Sequence, residues 1–148
     1  MRKRSAWGLL VTAALSVLIG CQTMDEPEQI GQAHTLIHFM EIVCLDVDAQ
    51  CAALERVHGL SFGPAVADLG GSRVAEAPDG SLVGVRAPLA VHEQPIIRSY
   101  LQVEDIAKAV EDVEAAGGKI AYPPTQQGDY GTFAIYFIGD IQLGLWQR

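Results

Sequence analysis

The side chains able to do chemistry in this chain are few and scattered. Three cysteines (Cys21, Cys44, Cys51) and four histidines (His34, His38, His58, His92) form no CxxC pair and no Cys/His cluster of zinc spacing. No Ser/His/Asp or Cys/His order marks a nucleophile with its base. No glycine-rich loop follows a strand, as phosphate binding requires. What stands out is a thiol, Cys21, directly behind a short apolar run, and two charged residues, Glu41 and Arg98, inside otherwise apolar segments. A buried carboxylate or guanidinium needs a partner or a polar cavity, so these positions direct attention to the elements that must hold them.

The start of the chain reads as a leader. Arg2, Lys3 and Arg4 form a basic end, Ala6 to Ile19 is mostly apolar, and Leu18-Ile19-Gly20-Cys21 follows. That is the layout of a secretory signal over residues 1–20. The apolar run is short for a membrane span, which needs about 20 residues. Its ending resembles a bacterial lipobox, which implies that Cys21 is lipidated and becomes the first mature residue. Gln22 rather than Asp behind it then implies the periplasmic face of the outer membrane. Residues 21–33, polar with Pro27 and Gly31, form a tether between lipid and domain.

Removing residues 1–20 from the 148 leaves one domain of ordinary size. Losing the three basic leader residues takes the net charge from −8 to −11. Such an acidic body excludes nucleic acid as a partner and gains nothing from anionic lipid. Attachment to the bilayer must therefore come from acyl chains, more than one for stable anchoring. Cys44 and Cys51 are either a disulfide, which an oxidising compartment permits, or two small buried thiols.

From residue 34 to 148 the chain alternates strand and helix patterns, and it does so twice. The helical segments starting at Asp46 and Asp105 lie 59 residues apart; each has an acidic start and a glycine stop, at Gly59 and Gly117-Gly118. Strand-like runs precede them, Leu36–Leu45 and Ile97–Val103. Three apolar runs follow each: 64–69, 72–77 and 82–87 in the first copy, 119–122, 132–138 and 141–147 in the second. Two tandem β-α-β-β-β modules, residues 35–90 and 95–148, follow from this repeat. The class is α+β. The stretch Pro123–Gly131 reads either as a lid loop or as an ordinary surface connection.

The order of these motifs resembles the vicinal oxygen chelate superfamily, which includes glyoxalase I, extradiol dioxygenases and bleomycin and fosfomycin resistance proteins. The second module carries the likeness most clearly, in Tyr100–Ile106, Glu114–Lys119, Pro123-Pro124 and Gly144-Leu145-Trp146-Gln147. The first adds Phe39, Glu41-Ile42 and Ala77–Gly80. The resemblance implies a curved mixed sheet around a central cavity. It also implies one divalent metal there, held from the first and last strands of each module. Those positions fall on Phe39, Gly84, Arg98 and Gly144, none an ordinary metal ligand, so no metal and no other cofactor is expected.

Strand alternation then sets the cavity lining: Phe39, Glu41, Arg98, Tyr100 and Gln102 on the first strands, Arg86, Gln142 and Trp146 on the last, with Val43 and Leu82 beside them. His38 falls on the opposite face. Arg98 either pairs with Glu41 or orients an anionic ligand through two parallel hydrogen bonds. The mixture of aromatic and polar groups suits a small organic molecule. The sequence is thus read as a membrane-anchored, metal-free, glyoxalase-like protein of the cell envelope that binds a small molecule. Its rivals are a metal-dependent lyase or dioxygenase built around Glu41, and a structural module with a filled cavity.

Overall fold

A computed structural model describes residues 36–148. The expected leader and tether, with Cys21 and His34, lie outside the described residues. The elements run β1 (Ile37–Val43), α1 (Val47–His58), β2 (Ala65–Val66), β3 (Ser72–Glu76), β4 (Leu82–Arg86), β5 (Ile96–Gln102), α2 (Ile106–Ala115), β6 (Lys119–Gln126), β7 (Thr132–Ile138) and β8 (Ile141–Gln147). The order β-α-β-β-β occurs twice, as the repeat requires.

Both helices start on the aspartates that the repeat singles out; α1 stops at Gly59, whereas α2 stops at Ala115, with Ala116 as its cap just ahead of Gly117-Gly118. The Asp46 carboxylate accepts from the Ala49 amide, and that of Asp105 from Ala107 and Lys108. Each supplies an acceptor to first-turn N–H groups that have no partner inside the helix. Gly59 ends α1 with φ +68°, a left-handed conformation that favours glycine.

All eight strands form one mixed sheet in the order β2-β3-β4-β1-β5-β8-β7-β6. The two first strands, β1 and β5, lie antiparallel at its centre, with Phe39 opposite Tyr100 and Glu41 opposite Arg98. Each pairs in parallel with the last strand of its own module: Glu41 sits level with Gly84, and Tyr100 with Gly144. Period-2 alternation then sends Phe39, Glu41, Arg98, Tyr100 and Trp146 to one face. Ile42, Val83 and Val85 go to the other, packed under α1 with Cys51 and Phe62. Ile106 and Val113 of α2 close a matching cluster over Ala134, Tyr136 and Leu145.

Two elements depart from the sequence reading. The run at 64–69 gives only the two strand residues Ala65–Val66; a 3-10 turn, Ala67–Leu69, takes up the rest. The strand expected at 119–122 continues to Gln126, so most of the expected loop 123–131 is strand, followed by a 3-10 turn at Gly128–Tyr130. Pro123 and Pro124 are compatible with this because β6 is an edge strand, bonded on one side only, and its register shifts on either side of Tyr122. The sheet curls until its two ends approach one another: the backbone at Gly128, beyond β6, lies against the Asp68 carboxylate, beyond β2.

Candidate functional site

The curl leaves a cavity of about 330 Å³ on the concave face. Phe39, Glu41, Arg86, Arg98, Tyr100 and Trp146 line it, as the alternation of the strands requires. Leu69, Gly70, Leu89, Glu93, Tyr122, Gln127, Phe133 and Ile135 complete it. Gln142 meets it through Arg98, whose Nε and Nη2 donate to the Gln142 side-chain oxygen at 3.1 and 2.8 Å. Gln102 lies level with Trp146 and is not among the walls. Its backbone N–H donates to Leu36 instead.

Aromatic rings build the walls. Phe39, Tyr100 and Trp146 are at most 3% exposed and meet in tilted and edge-on pairs with centroids 5.2–5.7 Å apart. These are the geometries that ring quadrupoles favour. Tyr122 stacks on Phe133 at 5.3 Å, and the Trp146 indole N–H donates to the Tyr130 carbonyl at 2.8 Å.

The charges at the base satisfy one another. Arg86 Nε donates to Glu41 Oε1 at 2.6 Å, and Arg98 Nη1 donates to Glu41 Oε2. The Tyr100 hydroxyl also donates to Oε2, at 3.1 Å. Burial, then the Glu41 charge, pushes the Tyr100 phenol well above its ordinary range, so it stays protonated. On its far side Arg86 reaches Glu93 with two parallel bonds, Nη1 to Oε2 at 2.8 Å and Nη2 to Oε1 at 2.7 Å. Those bonds hold the Glu93 carboxyl down at about 2. Of the two partners open to Arg98, the structure selects Glu41, with Gln142 on the other side.

The superfamily's metal positions do not fit a divalent cation here. Both carboxylates in the cavity, Glu41 and Glu93, are held by guanidinium groups. A side chain at Gly84 would run into the Phe39 ring, and one at Gly144 into the Tyr100 ring. Among the described residues no three His, Cys, Asp or Glu side chains converge.

His38 differs from the alternation. An irregularity in the β1–β5 pairing between Ile37 and Phe39 places its ring 5.5 Å from that of Trp146, on the concave side. There Nδ1 accepts from Arg148. Burial, then the Arg148 charge, lowers its pKa, so the ring is a neutral acceptor. Cys44 and Cys51 are free thiols, both pushed up by burial.

Two kinds of wall residue escape the sequence reading. Phe133 and Ile135 alternate along β7 and could have been placed by the same rule. Glu93 lies in the linker between modules, where no periodicity reports which way a side chain turns.

No family model matches the chain, and no curated protein matches it in sequence. Solved structures do match. A methylmalonyl-CoA epimerase of Streptomyces coelicolor, in complex with 2-nitronate-propionyl-CoA, aligns with TM-score 0.55 and 18% identity over 77% of this chain and 97% of its own. The epimerase of Mycobacterium tuberculosis gives 0.59 and 17% over 79% and 92%. The Mn(II)-bound glyoxalase of Novosphingobium aromaticivorans gives 0.59 and 21%; it covers 76% of this chain, which spans 38% of that one. These proteins belong to the vicinal oxygen chelate superfamily, and the chain shares their fold. At these identities the likeness is one of fold alone.

Proposed function

We propose that the protein is a lipid-anchored binding protein of the bacterial cell envelope that takes a small organic molecule into its cavity without a catalytic metal. One observation carries the reading: an aromatic-walled cavity of about 330 Å³ stands open over a base whose charges are already balanced. Pockets for small organic ligands have this size and make-up, mostly apolar with a few fixed polar groups. A lyase or dioxygenase of the same fold needs three or four donors and an open coordination position. Here two of the four positions are glycines and one is a guanidinium. The Mn(II)-bound glyoxalase keeps that rival in view and makes metal content the decisive measurement.

Elemental analysis of protein purified with manganese, zinc, iron and nickel present should find no stoichiometric divalent ion. Thermal melts against a panel of small aromatic and carbonyl compounds should find stabilisation by about 2.7 kcal/mol at a hundred times the dissociation constant. A stoichiometric ion lost on Glu41→Ala would establish the lyase reading in its place. No response to any compound would leave a structural module. The anchor has its own test: Cys21→Ser should leave an unprocessed precursor that no longer partitions with the outer membrane.

A further inference from the structure

Glu41 on β1, Arg86 on β4 and Arg98 on β5 are carried by the sheet, and together they have a net charge of +1. A cavity with apolar walls does not hold an unpaired charge cheaply, so this base requires one more anion. The anion present is Glu93, and it comes from the linker 87–95, which contains no helix or strand. Its carboxylate meets Arg86 through the two-point fork that guanidinium offers to any carboxylate. Otherwise it accepts only from the Leu89 amide of the same linker, at 2.7 Å. Its side chain is 21% exposed, against 9% for Glu41. Behind the linker is a second hollow of about 410 Å³, bordered by Leu45, Pro88, Val91 and Pro95 and sharing Leu89 and Glu93 with the cavity.

We propose that Glu93 is a resident stand-in for the carboxylate of the ligand, and that a monocarboxylate entering the cavity takes its place on Arg86 and frees the linker. The inference rests on the reading of the cavity as a small-molecule site and names the class of molecule it takes. Exchanging one carboxylate for another leaves the charge of the base unchanged, so no additional charge is buried. A neutral ligand has no means of displacing Glu93 and must bind beside it. Glu93 is tethered, so it competes at the high effective concentration of a short linker, in the millimolar range. Its removal therefore strengthens binding of a free carboxylate. Arg98 has no such exchangeable partner: Glu41 and Gln142, both on strands, hold it.

The test is calorimetric titration of the full chain with benzoate and with benzamide, which differ in charge at nearly constant shape. Glu93→Gln should raise the ratio of benzoate to benzamide affinity at least tenfold over that of the unaltered protein. Arg86→Met should lose benzoate selectively. In the unaltered protein, saturating benzoate should raise hydrogen exchange at the Leu89 amide, a readout that does not depend on any variant folding. Unchanged Leu89 exchange, or an equal benzoate-to-benzamide ratio with and without Glu93 while benzamide still binds, overturns the exchange and leaves the binding site standing. Failure of both compounds and of the wider aromatic panel on every form removes the exchange and the binding reading together.

Discussion

The Glu41 carboxylate receives Arg86 on one oxygen and Arg98 with Tyr100 on the other. Removing it leaves two buried guanidinium groups facing one another, and the penalty for breaking such a pair is about 3–5 kcal/mol. Glu41→Ala should therefore show that loss in urea denaturation; a loss under 1 kcal/mol would mean that water reaches the base freely. Glu93 adds a pH dependence. Its folded pKa, about 2, lies below the ordinary 4.5 because Arg86 bonds the ionised form. The stabilisation is complete above the unfolded value and disappears as pH falls through the folded one. Melting temperature should decline between about pH 4.5 and 2, and Glu93→Gln should flatten that limb. At this scale the strand residues are legible in the sequence: a period of two places Glu41, Arg86 and Arg98 on one face. That Arg98 chooses Glu41, and that Arg86 needs Glu93, depends on a linker conformation that no period encodes.

Elements were legible where end signals and periodicity agreed. Asp46 and Asp105 cap their helices because a carboxylate can reach first-turn N–H groups that the helix itself leaves unpaired. Asp105→Ala should cost about 1 kcal/mol, measurable by thermal melts, with the cavity's ligand response unchanged. An equal loss of ligand response would show that α2 positions the site more directly than its packing on the outer face indicates. Strand ends were less legible. Pro123-Pro124 reads as a stop because proline cannot donate to a ladder, yet β6 is an edge strand and its pairing with β7 shifts register between Tyr122 and Thr125, where the two prolines sit. Tyr122, the last residue before that extension, stacks on Phe133 and forms a wall of the cavity. The shortening of β2 has the opposite cause: Gly70 and Gly71, at φ +63° and +77°, turn the chain sharply and leave Ala67–Leu69 in a 3-10 turn.

How far an open sheet closes is a property of the whole molecule, and the repeat alone does not report it. Twist accumulates strand by strand, and the end point here is set where Gly128, following β6, meets Asp68, following β2. These two residues border the cavity from opposite ends of the sheet: Leu69 and Gly70 follow Asp68 into its wall, and Gln127 precedes Gly128. Closure thus turns the concave face from an open trough into an aromatic-walled cavity of about 330 Å³. Gly128 carries two constraints, φ of +49° and no room for a Cβ beside the Asp68 carboxylate. Gly59 carries only the first, with φ +68° and open space around it. Left-handed backbone costs about 1–2 kcal/mol for a residue with a Cβ, so both Gly59→Ala and Gly128→Ala should lower stability by that amount. Only Gly128→Ala should also push the Asp68 side chain aside, and with it the contact between the sheet ends. It should speed hydrogen exchange in 65–70 and 122–130 and shorten the residence time of a bound ligand. Equal exchange in the two variants would mean that the sheet ends hold together without the contact at Gly128, and that the mouth of the cavity is set by the strands alone.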